Sequence, residues 1–319
     1  MKVFVAGAGG TLGLPIVRRL VRAQAEVVAL TRSEEKASLF RQMAARPAVA
    51  DLLDAPALAR AVAEAAPDAI VQVVNALPKN GPRRARDLEA TNRLRVEGTA
   101  HLLAAARAAG VRKMVVESFT LSYGFGDLGK VPLGEDAPGS PDEPPAVAAL
   151  RSLERQVVQA GGTVLRFGRF HGAGVPSSRA LAEAVWARKL PVPGDGRVLA
   201  SYVHIDDAAE AVVRALDRGA PGRIYNVVDD EPVSIRDYLD ELARVLKVAP
   251  PRRLPVWLVG WVSPAAARFL SSSAPVSNAR AKAELGWSPA YPTYREALAD
   301  LGAGVKASRR LAEAAAERR

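Results

Sequence analysis

The sequence predicts an α/β fold with a doubly wound parallel sheet, because short apolar runs alternate with helical patterns throughout its first half. The chain opens on one such apolar run followed by glycines, and its second half mixes strand and helix patterns less regularly. We therefore predict a sheet domain over residues 1–170, a smaller mixed α/β lobe over 171–306 that is interleaved with it, and a basic tail over 307–319.

The predicted strands of the first half are short and apolar, and a helical pattern follows most of them. These strands cover residues 2–6, 26–31, 47–51, 69–74, 112–117 and 163–167. The helices between them cover 12–24, 34–45, 55–66, 84–109 and 146–160. The later half predicts strands at 198–205 and 223–228 and helices at 178–189, 207–218 and 234–247. Ligands of open parallel sheets bind beyond the carboxyl ends of the strands, so the residues after each strand are the candidate site residues.

The opening sequence MKVFVAGAGGTLG carries the most informative motif. Its apolar run leads into four glycines, Gly7, Gly9, Gly10 and Gly13. This spacing allows a tight turn at the first glycine, a close approach of the backbone to phosphate at the middle pair, and close helix packing at the last. Because a helix N-terminus attracts anions, we predict that these glycines, with Thr11 and Leu12, bind the pyrophosphate of a dinucleotide. No Gly-Lys-Ser/Thr follows, which excludes a nucleoside-triphosphate loop.

Composition restricts the remaining chemistry. Among 319 residues there is no cysteine and there are three histidines, so thiolate chemistry and disulfides are excluded and no metal site is predicted. The net charge of +10 comes mostly from scattered arginines, and its clusters at 83–86 and 309–319 are not interleaved with aromatic residues. We therefore predict a small-molecule substrate, favouring an anion, and neither a nucleic acid nor a membrane as partner. No signal peptide is visible and the apolar run 254–262 is too short to span a bilayer, which predicts a cytoplasmic location.

The residues after the second strand predict which dinucleotide binds. Thr31 and Arg32 stand where a site for a free ribose 2′-hydroxyl normally offers an acidic side chain. Arginine suits the extra phosphate of NADP, so NADP is the predicted cofactor. NAD is the alternative if Glu34 or Glu35 contacts the ribose instead.

The ends of the third and fourth strands complete the predicted cofactor site. Asp51, followed by Leu52, can accept a hydrogen bond from the adenine amino group, and a cap of the next helix by Asp51 or Asp54 is the alternative. The fourth strand ends in three residues that leave room for the ribose and nicotinamide, Asn75, Ala76 and Leu77.

The order of these motifs resembles that of the short-chain dehydrogenase/reductase superfamily in its extended form, the NAD-dependent epimerase/dehydratase family. The turn at 7–13, DLLD at 51–54 and VEGT at 96–99 are similar to family segments, although Arg95 stands where asparagine is usual. Later segments that resemble the family are SYVHIDD at 201–207, YNV at 225–227 and ELGWSP at 284–289. The resemblance implies a Rossmann fold, a nicotinamide cofactor and a homodimer formed through the helices at 84–109 and 146–160.

The resemblance also implies a catalytic tyrosine, a lysine four residues later on the same helix, and a serine or threonine after the fifth strand. Ser118 and Thr120 are candidates for the third group, and Ser118 also for cofactor contact, with capping of the backbone as the alternative. The helix lacks the tyrosine–lysine pair, because the best register places Ala146 at the tyrosine and Leu150 at the lysine. A shift by one residue brings no tyrosine either.

Other side chains near the expected nicotinamide are candidates for the missing role. Tyr123 carries a nearby hydroxyl, although the resemblance assigns this tyrosine to the substrate pocket. Glu117 is a further candidate acid or base. After the sixth strand, Arg169 is a candidate for cofactor binding, and His171 is either catalytic or structural. His204 is expected to hold a structural hydrogen bond.

Three functions are compatible with these motifs. The first is an NADP-dependent oxidoreductase or epimerase-like enzyme that acts on a small polar or nucleotide-sugar-like substrate without the usual tyrosine–lysine pair. The second is a catalytically inactive NADP-binding regulator or sensor, which accounts directly for Ala146 and Leu150. The third, a scaffold or RNA-binding protein, is supported by the net charge alone.

Overall fold

The computed structural model describes residues 1–78, 82, 84–255, 257, 268 and 272–316. Arg83 of the basic cluster, residues 256 and 258–262 of the apolar run, and residues 317–319 of the tail therefore lie outside the described residues. No helix within the described part of the chain is both long enough and apolar enough to cross a membrane.

The central sheet has seven parallel strands, and it confirms the predicted fold class. The strands are β1 (Lys2–Ala6), β2 (Glu26–Thr31), β3 (Arg46–Val49), β4 (Ala69–Gln72), β5 (Lys113–Phe119), β6 (Thr163–Phe167) and β11 (Ile224–Val227). Their spatial order is β11-β6-β5-β4-β1-β2-β3. Both β2 and β4 pair with β1, so the chain reverses its direction across the sheet at β1, where the glycine turn follows.

Helices cover both faces of this sheet because its strands are apolar on both sides. In β1, Val3 and Val5 face one core while Phe4 and Ala6 face the other, as the two-residue period of a strand requires. The helices before residue 160 are α1 (Gly13–Arg22), α2 (Glu34–Gln42), α3 (Ala55–Ala65), α4 (Glu89–Arg93), α5 (Thr99–Ala108) and α6 (Pro145–Gln159). The later helices are α7 (Pro176–Trp186), α8 (Ile205–Arg218), α9 (Ile235–Leu246), α10 (Ala279–Leu285) and α11 (Tyr294–Ala316). Helices α1 and α8 line the first core, and α3, α5 and α6 line the second.

The predicted helix at 84–109 forms over almost its whole length but does not wind uniformly. A short 3-10 helix (Ala85–Leu88) leads into α4, and a π-helical stretch (Leu94–Gly98) joins α4 to α5. Two hydrogen bonds attach this region to the sheet. Gln72 donates to the Thr99 hydroxyl over 2.8 Å, and the amide of Ala76 donates to the Thr91 hydroxyl over 3.0 Å. These contacts lie on either side of the π-helical stretch.

The part of the chain after β6 builds a smaller lobe on the carboxyl edge of the sheet. Its short strands are β7 (Arg169–His171), β8 (Val192–Pro193), β9 (Leu199–Ala200), β10 (Tyr202–His204), β12 (Val233–Ser234) and β13 (Arg253–Leu254). The predicted strand at 198–205 is divided, because β9 pairs with β12 whereas β10 pairs with β7. Helices α7, α9 and α11 share a separate core around Tyr238. Since β11 returns to the main sheet, the two parts are interleaved; the boundary at residue 170 stays a prediction.

Candidate active site

The glycine turn between β1 and α1 has the form of a phosphate-binding turn. Gly7 has a φ of +90°, and a side chain on Gly7 would strike the carbonyl group of Val73. A side chain on Gly13 would strike the carbonyl oxygen of Gly7, so α1 packs directly on the turn. Within the described residues no side chain caps α1 at Leu12. Pro15 has no N–H, and the amides of Leu14 and Ile16 donate to the carbonyls of Gly10 and Leu12. The positive end of α1 at Gly13 is therefore the part that faces an anion, and the turn fits the pyrophosphate of a dinucleotide.

Two cations lie on the outer side of this turn. Arg32 is exposed, with its Nη1 3.7 Å from Oδ2 of Asp51. Ser33 caps α2 by accepting from the amide of Lys36, and the Lys36 ammonium group lies 3.6 Å from the position that a Cβ on Gly9 would take. No sequence motif marks Lys36, but its position in the first turn of the helix that follows Arg32 indicates that it can lie beside Arg32. The pair can bind a phosphate attached to the ribose.

The two acidic residues after β3 have different partners. Asp54 caps α3, because its Oδ1 accepts from the amide of Ala57 over 3.0 Å. Asp51 does not cap that helix; its Oδ1 accepts from the amide of Leu53 over 2.9 Å, while Oδ2 faces Arg32. Asp51 is thus placed at the edge of the sheet beside the first cation.

The neighbouring loops place the other predicted cofactor residues at the same edge. Leu52 is buried against Gly98, and its carbonyl oxygen lies 3.2 Å from Nδ1 of His101, which ties the loop to α5. After β4, Asn75 and Leu77 are exposed and Ala76 is half-buried.

Ser118 and Tyr123 belong to a buried polar cluster that we call the Arg166 network, made of Ser118, Tyr123, Glu154, Arg166 and Asn226. Ser118 donates to Glu154 over 2.6 Å, and Glu154 forms an ion pair of 2.7 Å with Arg166. The Arg166 guanidinium lies 4.8 Å from the ring centre of Tyr123. The Tyr123 hydroxyl faces two acceptors, the Gly134 carbonyl at 2.9 Å and Oδ1 of Asn226 at 3.0 Å. Burial raises the pKa of Tyr123. Both hydroxyls are therefore already engaged with groups of the protein.

The positions of the usual tyrosine and lysine lie on the buried face of α6. Ala146 is 7% exposed and Leu150 is 1% exposed, and neither side chain can exchange a proton. Thr120, which begins the short 3-10 helix after β5, is 9% exposed.

Glu117 stands next to Ser118 on β5 and has very different surroundings. Its Oε2 is buried and finds no hydrogen-bond partner among the residues that the structure describes. Burial raises the pKa of the Glu117 carboxyl to about 7, and the positive charge of Arg95 opposes this rise. Arg95 lies in the π-helical stretch, where its Nη1 donates to Oδ1 of Asn92 over 3.4 Å. The sequence marks Arg95 only as a departure from the family helix and does not show that it interacts with Glu117.

The two histidines of the lobe are both buried but differ in their contacts. In the described ranges, neither ring nitrogen of His171 has a hydrogen-bond partner. Burial lowers the pKa of His171 to about 3, so the ring is neutral. His204 lies 3.2 Å from Oδ2 of Asp300 and accepts from the amide of Asp206, which ties α11 to the start of α8. These contacts correspond to the structural role expected for His204.

A further buried carboxyl group, Asp229, lies just after β11. It is 2% exposed, and among the described residues no side chain donates a hydrogen bond to it; the backbone of Glu231 opposes the effect of burial on its pKa. Burial raises the pKa of Asp229 to about 9, so the group is neutral at pH 7. Its surroundings include the stacked rings of Tyr202 and Tyr238, 4.2 Å apart, and Arg169 lies 5.9 Å from the Tyr202 ring centre. No sequence motif marks Asp229, because its neighbours come from distant parts of the chain.

The comparisons with known proteins match this architecture. A model described as the NAD dependent epimerase/dehydratase family matches residues 3–227. The 3-diazoavenalumate denitrifying reductase of a Streptomyces species is 38% identical over 93% of this chain and 99% of its own length. The crystal structure of Thermus thermophilus UDP-glucose 4-epimerase in complex with NAD is 25% identical, with a TM-score of 0.77 over 96% of this chain and 99% of that one. RMD from Pseudomonas aeruginosa, complexed with NADPH, is 22% identical and has a TM-score of 0.73 over 96% and 99%. This chain therefore belongs to the NAD-dependent epimerase/dehydratase family.

Proposed function

We propose that this protein is an NADPH-dependent reductase that delivers hydride to an electrophilic carbon of a small anionic substrate. The observation that carries the proposal is the combination of a complete dinucleotide turn with Ala146 and Leu150 at the positions of the usual proton-transfer pair. Such a site holds the cofactor but offers no hydroxyl proton from α6. It favours a reaction in which carbon accepts hydride and no oxygen needs a proton.

The name of the Streptomyces relative suggests a substrate with that property. A ketoreductase or an epimerase must move a proton to or from the substrate oxygen, whereas reduction at a diazonium carbon requires no such proton transfer. When hydride adds to the carbon that bears the diazonium group, a C–H bond forms and the electrons of the C–N bond leave with N₂. We therefore propose a diazo-substituted carboxylate as the substrate class. The 38% identity over nearly the full length and the net charge of +10 support this choice.

Different residues along the carboxyl edge of the sheet bind different parts of the cofactor. The glycine turn and the N-terminal end of α1 bind the pyrophosphate, Arg32 and Lys36 bind the 2′-phosphate, and Asp51 contacts the adenine. The bound cofactor supplies the hydride. Arg169 contributes a positive charge on the lobe side, and Thr120 remains the candidate hydroxyl that orients the substrate.

A catalytically inactive NADP-binding regulator is the second candidate, and the same two residues, Ala146 and Leu150, favour it. We further propose a cytoplasmic location and a homodimer formed through the surface of α5 and α6, as the family resemblance implies.

Turnover of a diazo acid is the test of the proposed function. The assay uses an arenediazonium carboxylate and NADPH that carries deuterium at C4, on the face from which hydride is transferred. For each NADPH oxidised, we expect release of one N₂ and incorporation of one deuterium into the product. Because NADPH can reduce diazonium ions without an enzyme, Gly13→Val, which blocks the turn, is the matched control and should show only this background rate. Turnover of ketones or UDP-sugars without turnover of the diazo acid would contradict the proposed substrate class. Tight NADP binding without any turnover would support the regulator.

Removal of the two outer cations should change cofactor preference. Arg32→Ala and Lys36→Ala are each expected to raise the Kd for NADPH by about tenfold or more, because each removes a charge-assisted contact to phosphate. The Kd for NADH should stay nearly constant in both variants. Arg41→Ala, an exposed cation on the same helix that pairs with Glu34, is the control and should change neither constant. If the wild type binds NADPH and NADH equally well and neither substitution changes the two Kd values, NADP is not the preferred cofactor.

A further inference from the structure

Glu117 lies at the carboxyl edge of the sheet, just beyond the end of β4. The last residue pair that joins β4 to β5 is Gln72 with Val116, and the next residue of β5, Glu117, pairs only with Leu165 of β6. Side chains alternate along a strand, so Ser118 points toward the Arg166 network and Glu117 points to the opposite side. A dinucleotide held at the glycine turn of β1 would extend along this edge past the end of β4, toward Glu117.

The carboxyl group of Glu117 lacks the contacts of a structural ion pair. Its Oε2 is buried without a partner, and Arg95, the cation that acts on it, makes no ion-pair contact with it among the described residues. Burying a carboxylate oxygen such as Oε2 without a hydrogen bond costs stability, whereas both carboxylate oxygens of Glu154 accept hydrogen bonds from Arg166. Groups held in this way occur preferentially at functional sites.

Within the described part of the chain, the neighbouring elements bring no second unpaired charge to Glu117. Strand β6 and helix α6 contribute Arg166 and Glu154, which pair with each other on the Ser118 side of β5. Strand β4 contributes the neutral Gln72, and α8 presents Ala208, Ala209 and Val212 to this core. Burial is thus the main cause of the raised pKa of Glu117, and the charge of Arg95 partly offsets it.

We propose that the Glu117 carboxylate supplies a negative charge during hydride transfer: it stabilises the positive charge of an oxidised nicotinamide, and Arg95 favours the ionised form of the carboxyl. When the C–H bond of a dihydronicotinamide breaks, both electrons leave with the hydrogen and the ring becomes a cation. A fixed negative charge that is already in place favours this change without reorganisation. The inference rests on the proposed cofactor binding and does not depend on the substrate class.

The proposal makes the two redox forms of the cofactor bind differently. An ionised Glu117 attracts the cationic ring of NADP⁺ and not the neutral ring of NADPH. Because the carboxyl titrates near pH 7 in the free protein, this preference should increase from pH 5.5 to pH 8.5. We expect the ratio of the Kd for NADPH to the Kd for NADP⁺ to rise by about tenfold across this range.

Titration of both cofactor forms by calorimetry, without substrate, tests the proposal. In Glu117→Gln the ratio should be independent of pH and should equal the low-pH value of the wild type. In Arg95→Gln the rise should move to higher pH by about one unit, because the cation that favours the carboxylate is gone. Glu97→Gln, an exposed change in the same helical region, is the control and should behave as the wild type does. The Arg95→Gln shift is a readout that remains even if Glu117→Gln fails to fold.

The outcomes separate this inference from the proposed function. A pH-independent ratio in the wild type, or the same pH-dependent ratio in Glu117→Gln, would overturn the role of Glu117. The absence of any nucleotide binding by the wild type would overturn both proposals. Failure of the diazo acid to react, with the predicted ratios observed, would overturn only the substrate class.

Discussion

Replacing Glu154 with glutamine should destabilise the protein by about 3–5 kcal/mol, because Arg166 is left as a buried charge without its partner. In the folded protein Glu154 accepts two hydrogen bonds from Arg166, at 2.7 and 2.9 Å, and one from Ser118 at 2.6 Å. Glutamine keeps the shape but loses the charge and one acceptor. Urea unfolding of the variant should show a lower midpoint and an unchanged slope.

A surface pair provides the matched control for this experiment. Glu143 pairs with Arg151 at 3.3 Å and is 44% exposed, so Glu143→Gln should cost no more than about 1 kcal/mol. Combining Glu154→Gln with Arg166→Met should cost less than the sum of the single changes, because the unpaired cation is removed as well. Similar costs for Glu154→Gln and Glu143→Gln would show that the buried pair of Glu154 and Arg166 stabilises the fold no more than a surface pair does.

Replacing Asp229 with asparagine should make the protein more stable at alkaline pH. Burial raises the pKa of this carboxyl from 3.8 to about 9 in the folded chain. Since the raised pKa favours the protonated form, the contribution of Asp229 to stability is fully present below pH 3.8 and is lost as the pH rises toward 9. Asparagine cannot ionise, so the variant escapes this loss.

Unfolding experiments across pH measure the effect. The free energy of unfolding of Asp229→Asn minus that of the wild type should increase by roughly 1 kcal/mol per pH unit between pH 5 and 8. Asp195→Asn, at an exposed position that pairs with Arg197, should give a difference that is constant with pH. A constant difference for Asp229→Asn would mean that the carboxyl is ionised in the folded protein.

The features that sequence analysis predicted well depend on local patterns. Strands β1, β2 and β6 have their predicted bounds because continuous apolar runs end at turns and helix starts. The glycine turn was likewise readable from sequence, since Gly7 and Gly13 are required by contacts within and beside the turn itself.

The features that sequence analysis did not reveal depend on residues brought together by the fold. The direction of the Lys36 side chain, the buried carboxyl of Asp229 and the charge of Arg95 beside Glu117 leave no periodic signal in the chain. The sequence also leaves open which of Asp51 and Asp54 caps α3, and only the hydrogen bonds of the folded chain distinguish them.

The π-helical stretch between α4 and α5 decides which side chains of this region meet the sheet. Successive residues of an α-helix are turned by about 100°, so Thr91 and Thr99 would point about 80° apart on a regular helix. One extra residue in the turn takes up about 100° of that rotation, which brings both hydroxyls to the same side, where Ala76 and Gln72 bind them. Arg95, about one turn after Thr91, then faces the sheet as well. A homologue that loses one residue between 96 and 98 would keep its helix but turn Thr99 and the rest of α5 by about 100° relative to Thr91, so that the two hydroxyls would no longer both bind the sheet.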